Sequence, residues 1–438
     1  MNKVALTNTY ERYPEYKDSG VEWLGHVPKD WSVHKVKEVF EFSNEKGYED
    51  QYNPLSVTYG GIKKQIENAA KVADGSARKL VRKGDIVINS RSDRKGAVGQ
   101  SEYEGVVSLV YNVLRSRSDD FSPKYFHYLF RSKDFSEEFY RWGRGIVDDL
   151  WTTRSNEMKN ILITVPSKPA QEKIAGFLDK ETERIDAIIA KKQRLIELLK
   201  EKRTATINHA VTKGLDPKAE MVDSGVEWIG YIPKDWEVKK IKHTISSITA
   251  GVWGEEPVGD ENDIKCLRVA DFDYDNLSYS EVEPIRNNVG IKQSKVLKKN
   301  DLLIEKSGGG EKTPVGRVVV FKGNERMTCA NFIEIVRTDQ TTVDSEFLGM
   351  YLCALYASGA VRKYIKQNTG IQNLDIKSYF SESICLPPLD EQKKIVAHIQ
   401  GVITSHRSIE LKINKSIQQL QELKSSLISH AVTGKIKV

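Results

Sequence analysis

"DSGVEWLGHVPKDW" runs from Asp18 to Trp31, and "DSGVEWIGYIPKDW" runs from Asp223 to Trp236, 205 residues later. Over the twenty residues that begin at Asp18 and at Asp223, fourteen are identical and four of the six differences are conservative. The repetition continues at the far end of each half. "QEKIAGFL" from Gln171 returns as "QKKIVAHI" from Gln392, and "INHAVTKG" around His209 returns as "ISHAVTGK" around His430, both shifted by 221 residues. The closing module thus has one length in both copies, and the extra sixteen residues fall in the variable region before it. Two copies are too few for a solenoid of short stacked units. The plan reads globular region, helix, globular region, helix.

The closing modules read as long helices. Pro166 and Pro169 precede the first; Pro387, Pro388 and a candidate N-cap, Asp390, precede the second. Gly214 and Gly434 end them. Leu178, Ile185, Ile188, Leu195 and Leu199 fall at alternating four- and three-residue steps in the first, with one step missed at Lys192. Ile399, Val402, Ile409, Ile413, Leu420, Leu423 and Leu427 keep the same frame in the second, with polar gaps at His406 and Ser416. A heptad-like stripe sustained over about 35 residues predicts a helix packed along another helix. A helix lying on a globular core would show a broader stripe. Forty helical residues span about 60 Å. Because the halves are copies, the simplest arrangement is pseudo-twofold, an antiparallel coiled coil with the globular regions at opposite ends. Paired readers of this kind address two half-sites on a duplex.

The boundaries that follow are globular regions at 1–165 and 215–386 and helical spacers at 166–214 and 387–438. Both globular regions alternate short apolar runs with turns, as mixed α/β (α+β) domains do. Hydrophobic content of 39% and charged content of 29% fit a soluble globular protein. No apolar run reaches the roughly 18 to 20 residues that span a bilayer, and the N-terminus lacks the apolar core of a secretory signal. The expected compartment is the cytoplasm, with no membrane partner. Four scattered cysteines without a CxxC pair argue against a zinc site and suit a reducing compartment. The net charge of +6 permits an acidic partner without requiring one.

Within the variable regions, "RKGDIVINSRSDRKGAVG" (Arg82–Gly99) parallels "KKNDLLIEKSGGGEKTPVG" (Lys298–Gly316). Each is a turn, a strand, a polar loop and another apolar run. Ser90, Arg91, Arg94 and Lys95 occupy one loop; Lys306, Ser307 and Lys312 occupy the other, around three glycines. A second pair precedes each helix: "RWGRGIVDDLWTTR" (Arg141–Arg154) and "KQNTGIQNLDIKSYF" (Lys366–Phe380). It supplies Arg141, Trp142 and Arg144 in one half and Gln367, Asn368, Gln372 and Asn373 in the other. Basic and amide side chains on such loops suit phosphate and base-edge contacts, arginine to guanine and Asn or Gln to adenine. The plain alternatives are a solvated loop and, for Trp142, a packed aromatic. Trp23, Trp31, Trp228 and Trp236, with Pro28 and Pro233, read as a structural arm packed on the domain it introduces.

Chemistry of the chain's own is absent from the text. "SGGGEKT" departs from a phosphate-binding loop, because Glu311 stands where glycine must precede the lysine. "DLLIEK" and "GDENDIK" hold acids and a lysine, as a magnesium-dependent nuclease would, but at loose spacing and in one half only. No methyltransferase, helicase or HExxH motif occurs. No catalytic residue and no metal ligand is assigned.

The lead-in "YPEYKDSGVEWLGHVPKDW", its second copy, "IAGFLDKETERID" and "PPLDEQKKIVAHI" closely resemble type I restriction–modification specificity subunits. The likeness covers nearly the whole chain in family order. It implies a subunit without catalytic activity, whose two target recognition domains each read one half of a split double-stranded DNA target. It implies that the helices set the gap and dock two modification subunits, which bind S-adenosylmethionine and methylate an adenine flipped from the duplex. Restriction subunits would add an ATP- and magnesium-dependent translocase and nuclease; no cofactor is expected in this chain. Half-sites about one duplex turn apart, roughly 34 Å, fit within the helix length. Two other classes stay open: an autonomous duplicated-domain DNA- or RNA-binding adaptor or repressor, and a self-sufficient nuclease. Co-purification of a methyltransferase chain separates the first from the resemblance, and magnesium-dependent cutting marks the second.

Overall fold

The computed structural model describes residues 10–65, 77–91, 95–145, 151–282, 284–368 and 370–438. It divides into two compact units, residues 1–192 with 414–438 and residues 193–413. The divisions cut through both long helices, a central one at Lys168–Lys213 and a C-terminal one at Leu389–Val432, rather than falling at their ends. No helix among the described residues is long and apolar enough to cross a membrane.

The first unit is built on an antiparallel sheet of β1 (Phe40–Ser43), β2 (Ile86–Ile88), β3 (Val98–Gln100) and β4 (Asn112–Ser116), in the order β3-β2-β4-β1. Strand β2 is a continuous apolar run because both of its faces are covered. Ile86 and Ile88 join Leu114 and a large aromatic core with Trp31, Phe126 and Phe135. Val87, pointing the other way, joins Val113 and the small outer strands through Leu55, Val57 and Val107. The helices Pro123–Arg131 and Lys133–Arg141 supply the aromatic side; proline opens the first, and the Ser132 hydroxyl caps the second by accepting from Phe135 N at 3.3 Å.

The second unit repeats this frame with β5 (Ile245–Ala250), β6 (Leu302–Glu305), β7 (Val318–Val320) and β8 (Ile333–Thr338), in the order β7-β6-β8-β5. Leu302 and Ile304 face the main core and Leu303 the smaller one, so the alternation is the same. A partly buried ion pair, besides the exposed pairs Lys29–Glu15 and Lys234–Glu220 of the lead-ins, recurs between the units in position and geometry. Arg115 grips Asp85 through two bonds of 3.1 Å, and Arg337 grips Asp301 through two bonds of 3.0 Å. Each aspartate also accepts a backbone N–H of the preceding turn, from Arg82 and from Lys298. The bidentate fork satisfies a nearly buried carboxylate that would otherwise be costly.

In each unit, halves of the two long helices run antiparallel. Lys424 pairs with Asp186 at 2.6 Å in the first unit, where Leu178 and Leu427 share the core. In the second unit Ile207 and Val211 share the core with Ile395, Ile399 and Ile403, and His406 faces the Leu199 carbonyl. Ile185 and Ile413 are buried, while Ile188, Leu199, Val402, Leu420 and Leu423 are half-buried. Leu195 and Ile409, read as members of the same stripe, are 45% and 39% exposed. From residue 186 to residue 202 no position of the central helix is fully buried, so no globular core covers that stretch.

The repeated lead-in binds a helix end. Lys435 Nζ donates to the carbonyls of Leu24, at 2.7 Å, and His26. In the second unit Lys213 Nζ donates to Ile229, at 2.7 Å, and Tyr231, the matching pair. The lysine follows the helix-ending glycine in one copy and precedes it in the other, yet it reaches the same two carbonyls. Trp31 and Trp236 are buried at these joints, and Trp23 and Trp228 meet Phe135 and Tyr351 edge to face.

The glutamine that opens each closing module has an equally matched role. Gln171 accepts from Ser122 N at 2.8 Å and donates to Pro166 O at 2.8 Å; Gln392 accepts from Asp344 N at 2.8 Å and donates to Pro387 O at 2.9 Å. Each amide ties a helix start to the loop before an earlier helix.

Candidate nucleic-acid interface

The equivalence of the two sheets places the polar loops in register. Ser90 and Arg91 leave the end of β2 where Lys306 and Ser307 leave the end of β6. We call this segment the strap. In both units the strap is held between two neighbours. Thr153 N donates to Ser90 O at 3.0 Å, and Leu374 N donates to Lys306 O at 2.8 Å. On the opposite side, the Ser90 hydroxyl donates to Val110 O, while Lys306 N donates to Phe332 O at 2.9 Å. A strap, a turn tip before β4 or β8, and the segment before the helix therefore meet twice.

In the first unit the segment before the helix approaches through backbone bridges of Thr152 with Arg91 and Arg144. Tyr140 OH fixes the strap by donating to the carbonyls of Arg91, at 3.0 Å, and Asn89, at 3.3 Å. Ser90 is fully buried, so its hydroxyl shapes the strap instead of facing outward. Arg91 and Lys95 are exposed, with Lys95 Nζ 5.6 Å from the Tyr140 ring centre. Arg144 is 83% exposed, with Glu157 at 3.7 Å. Arg141 is bonded to Glu138 and Glu22, and the Trp142 indole donates to Glu138 at 2.8 Å. Those two side chains brace the helix end, though Trp142 keeps 38% of its surface in water. Arg94 lies outside the described residues, as do positions 146–150.

In the second unit the approaching segment is a hairpin of β9 (Ile365–Asn368) and β10 (Ile371–Leu374), which pairs with the strap at Ser307↔Asn373 and Gly308↔Gln372. Ser307 Oγ donates to Asn373 Oδ1 at 2.7 Å. Gln372 is buried, and its carbonyl accepts from Val315 N at 3.3 Å, closing the glycine loop. Gly309, at φ +56°, stands so near that a Cβ would lie 2.8 Å from Val315 N, so this loop requires glycine. Lys312 and Gln367 are exposed. Asn368 contributes its backbone to the hairpin end.

The charges of the two faces differ. Lys306 is paired with Glu334 at 2.8 Å, and Lys366 with Asp375 at 2.7 Å; the lysine beside it, with the Ser378 N–H, holds the Asp375 carboxyl down at about 2. Glu305 is bonded to Arg317 at 2.8 Å, and that guanidinium lies 4.0 Å over the Tyr274 ring. Asp301 and Glu305, the acids of the "DLLIEK" run, are thus each occupied by an arginine. The second face presents Lys312, Gln367, Asn373, glycine backbone and apolar side chains, with Lys306 and Lys366 paired to acids, whereas the first presents Arg91, Lys95 and Arg144. Sequence reasoning did not assign Val110, Phe332, Tyr140 or Thr152 to the site; Thr152 lies within the Arg141–Arg154 stretch, and no local motif marks the other three.

Known proteins give this geometry its context. Residues 28–198 and 233–419 match the profile of the type I restriction modification DNA specificity domain. The chain is 23% identical to the EcoBI specificity subunit of Escherichia coli over 293 residues, 64% of this chain and 60% of that protein. It is 23% identical to the MjaVIII specificity subunit of Methanocaldococcus jannaschii over 429 residues, 94% of each chain. Its fold is similar to a chain from a structural study of complex assembly and conformational transition in the type I R-M system, with a TM-score of 0.68 and 17% identity over 93% of this chain and 98% of that one. The HsdS subunit from Thermoanaerobacter tengcongensis gives a TM-score of 0.51 and 18% identity, over 94% and 98% of the two chains.

Proposed function

The chain belongs to the type I restriction–modification DNA specificity family, and we propose that it is the subunit that selects the target. Each unit reads one half of a bipartite duplex site through its strap, turn tip and pre-helix segment. The paired helices fix the spacing between half-sites and dock two modification subunits, which bring S-adenosylmethionine and the methyl-transfer chemistry. Restriction subunits add the ATP- and magnesium-dependent steps. In this reading the chain binds and positions, and the catalysis belongs to its partners.

The observation that carries the proposal is the doubling of the interface. One frame, with the same ion pair, strap anchors and helix-end joint, presents two chemically different sets of tips. A single-sequence reader has no use for two unlike faces on one frame, but a split target requires them. Methylome sequencing of cells with and without this chain tests it. The expected result is adenine methylation at a two-part motif with a fixed gap, present only with the chain. A continuous motif, or no change in methylation, overturns the proposal. The same assay tests the spacer: one helical turn inserted into both antiparallel helices should change the accepted gap.

A further inference from the structure

On the side of the strap away from the pre-helix segment, both units hold an apolar side chain in water. Val110 is 49% exposed, its neighbour Leu109 55%, and Phe332 50%. Val110 and Phe332 occupy one position of the shared frame. Each offers its carbonyl to the strap, and each lies two residues before the strand residue that pairs with Ile88 or Ile304. The strand residues that follow, Val113 and Leu114 or Ile333 and Ile335, are buried. A lone exposed apolar residue needs no explanation. The same position kept apolar and exposed in two units whose neighbouring residues differ, Ser90 against Lys306 and Thr152 against Asn373, does need one.

Resting on the DNA reading above, we infer that Val110, with Leu109, and Phe332 are specificity-determining residues that pack on the 5-methyl group of a thymine in their respective half-sites. In the major groove, amide, hydroxyl and guanidinium groups answer the nitrogen and oxygen edges of the bases, and the thymine methyl is the one apolar feature displayed there. An apolar tip beside a polar strap is complementary to that feature. A wedge driven between stacked bases would also use an apolar side chain. Val110 is too short for that, and the matched position shares apolarity between the two units, not length or flatness.

The test uses the complete specificity–modification complex and its cognate duplex, with each thymine replaced in turn by deoxyuridine so that only the methyl is lost. Binding should weaken about 3- to 10-fold at one thymine in each half-site. Phe332→Ala should weaken binding by a similar factor and abolish the response to uracil in one half-site only. The double change Leu109→Ala and Val110→Ala should do so in the other. Phe332→Leu, which keeps an apolar contact, should retain the response. A sequence-specific complex indifferent to every uracil overturns this inference and leaves the proposed function standing. So does an alanine variant that keeps its uracil response, or 2-aminopurine fluorescence that, at saturating complex, reports unstacking dependent on Phe332 at a base other than the methylated adenine. A complex without sequence preference on any duplex overturns both.

Discussion

Gly434 lies against Pro28 with no room for a side chain: a Cβ there would stand 2.3 Å from the proline Cδ and 3.2 Å from the Trp31 ring. Its counterpart Gly214 is less confined, with the nearest atoms at 3.2 Å on Glu391 and 3.4 Å on Trp236. Both glycines have left-handed backbone, at φ +71° and +76°. Gly214→Ala should therefore cost about 1 kcal/mol, the ordinary penalty of that conformation. Gly434→Ala adds overpacking and should cost about 2–4 kcal/mol. Denaturant unfolding followed by tryptophan fluorescence measures both, and equal losses would contradict the difference in packing.

Gln171→Ala and Gln392→Ala each leave a backbone N–H and a carbonyl without their partners at a buried helix start. Each should lower stability by about 2–3 kcal/mol. Replacement by glutamate should be no milder, because a carboxylate cannot donate to Pro166 O or Pro387 O. A rescue by glutamate in thermal unfolding at neutral pH would show that the donated bond is unimportant.

His127 gives the first unit a pH dependence. Burial, aided by the Arg131 guanidinium, lowers its pKa from 6.5 to about 4, and Gln100 N donates to its Nδ1 at 3.1 Å. The unfolded chain takes up this proton first as pH falls. The stability contribution is complete above about 6.5 and is lost between there and about 4. The loss should be on the order of 2–3 kcal/mol by the lower limit. Unfolding free energies from pH 7 to pH 4 should fall less steeply in His127→Gln; parallel curves would remove His127 as the source.

The unlike charges of the two faces predict unlike salt responses. Arg144→Ala should weaken DNA binding broadly across sequences and reduce the slope of log K against log salt by about one. Lys306→Ala should leave that slope nearly unchanged, since Glu334 already offsets the lysine. It should still weaken binding to cognate DNA, because the largely buried Glu334 carboxylate loses the lysine that neutralises it and the strap loses that anchor. Filter-binding titrations across a salt series distinguish the two.

The repeated words of the sequence were legible because each encodes a local contact that recurs in both copies. The tryptophans, the prolines and the glycine-ended helices all meet where their matched order suggests. The tips were less legible. Ser90 has the chemistry of a base contact, yet its hydroxyl turns inward to a carbonyl twenty residues away. Arg141 has the charge of a phosphate ligand, yet Glu22, more than a hundred residues upstream, engages it. Leu195 and Ile409 keep the helical frame but lie on water, because the stripe records spacing and not what comes to cover it. For Ser90 the deciding partner is distant in the chain, and Arg141 is shared between Glu138 one turn back and the remote Glu22. Leu195 and Ile409 are left partly uncovered, and local pattern does not specify any of these outcomes.

The joint between Lys435 and the Leu24 carbonyl carries a consequence for synthesis on the ribosome. At about 5–20 residues per second, Gly434 is made roughly 20–80 s after Trp31. Through that interval the first socket waits empty, while a near-identical plug, "INHAVTKG", has already emerged. That earlier plug is followed within nine residues by its own socket at Asp223, and so short a closure favours the local match over the remote one. Lengthening the tether between Gly214 and Asp223 would erode this advantage, and nascent chains would then begin to trap the wrong partner.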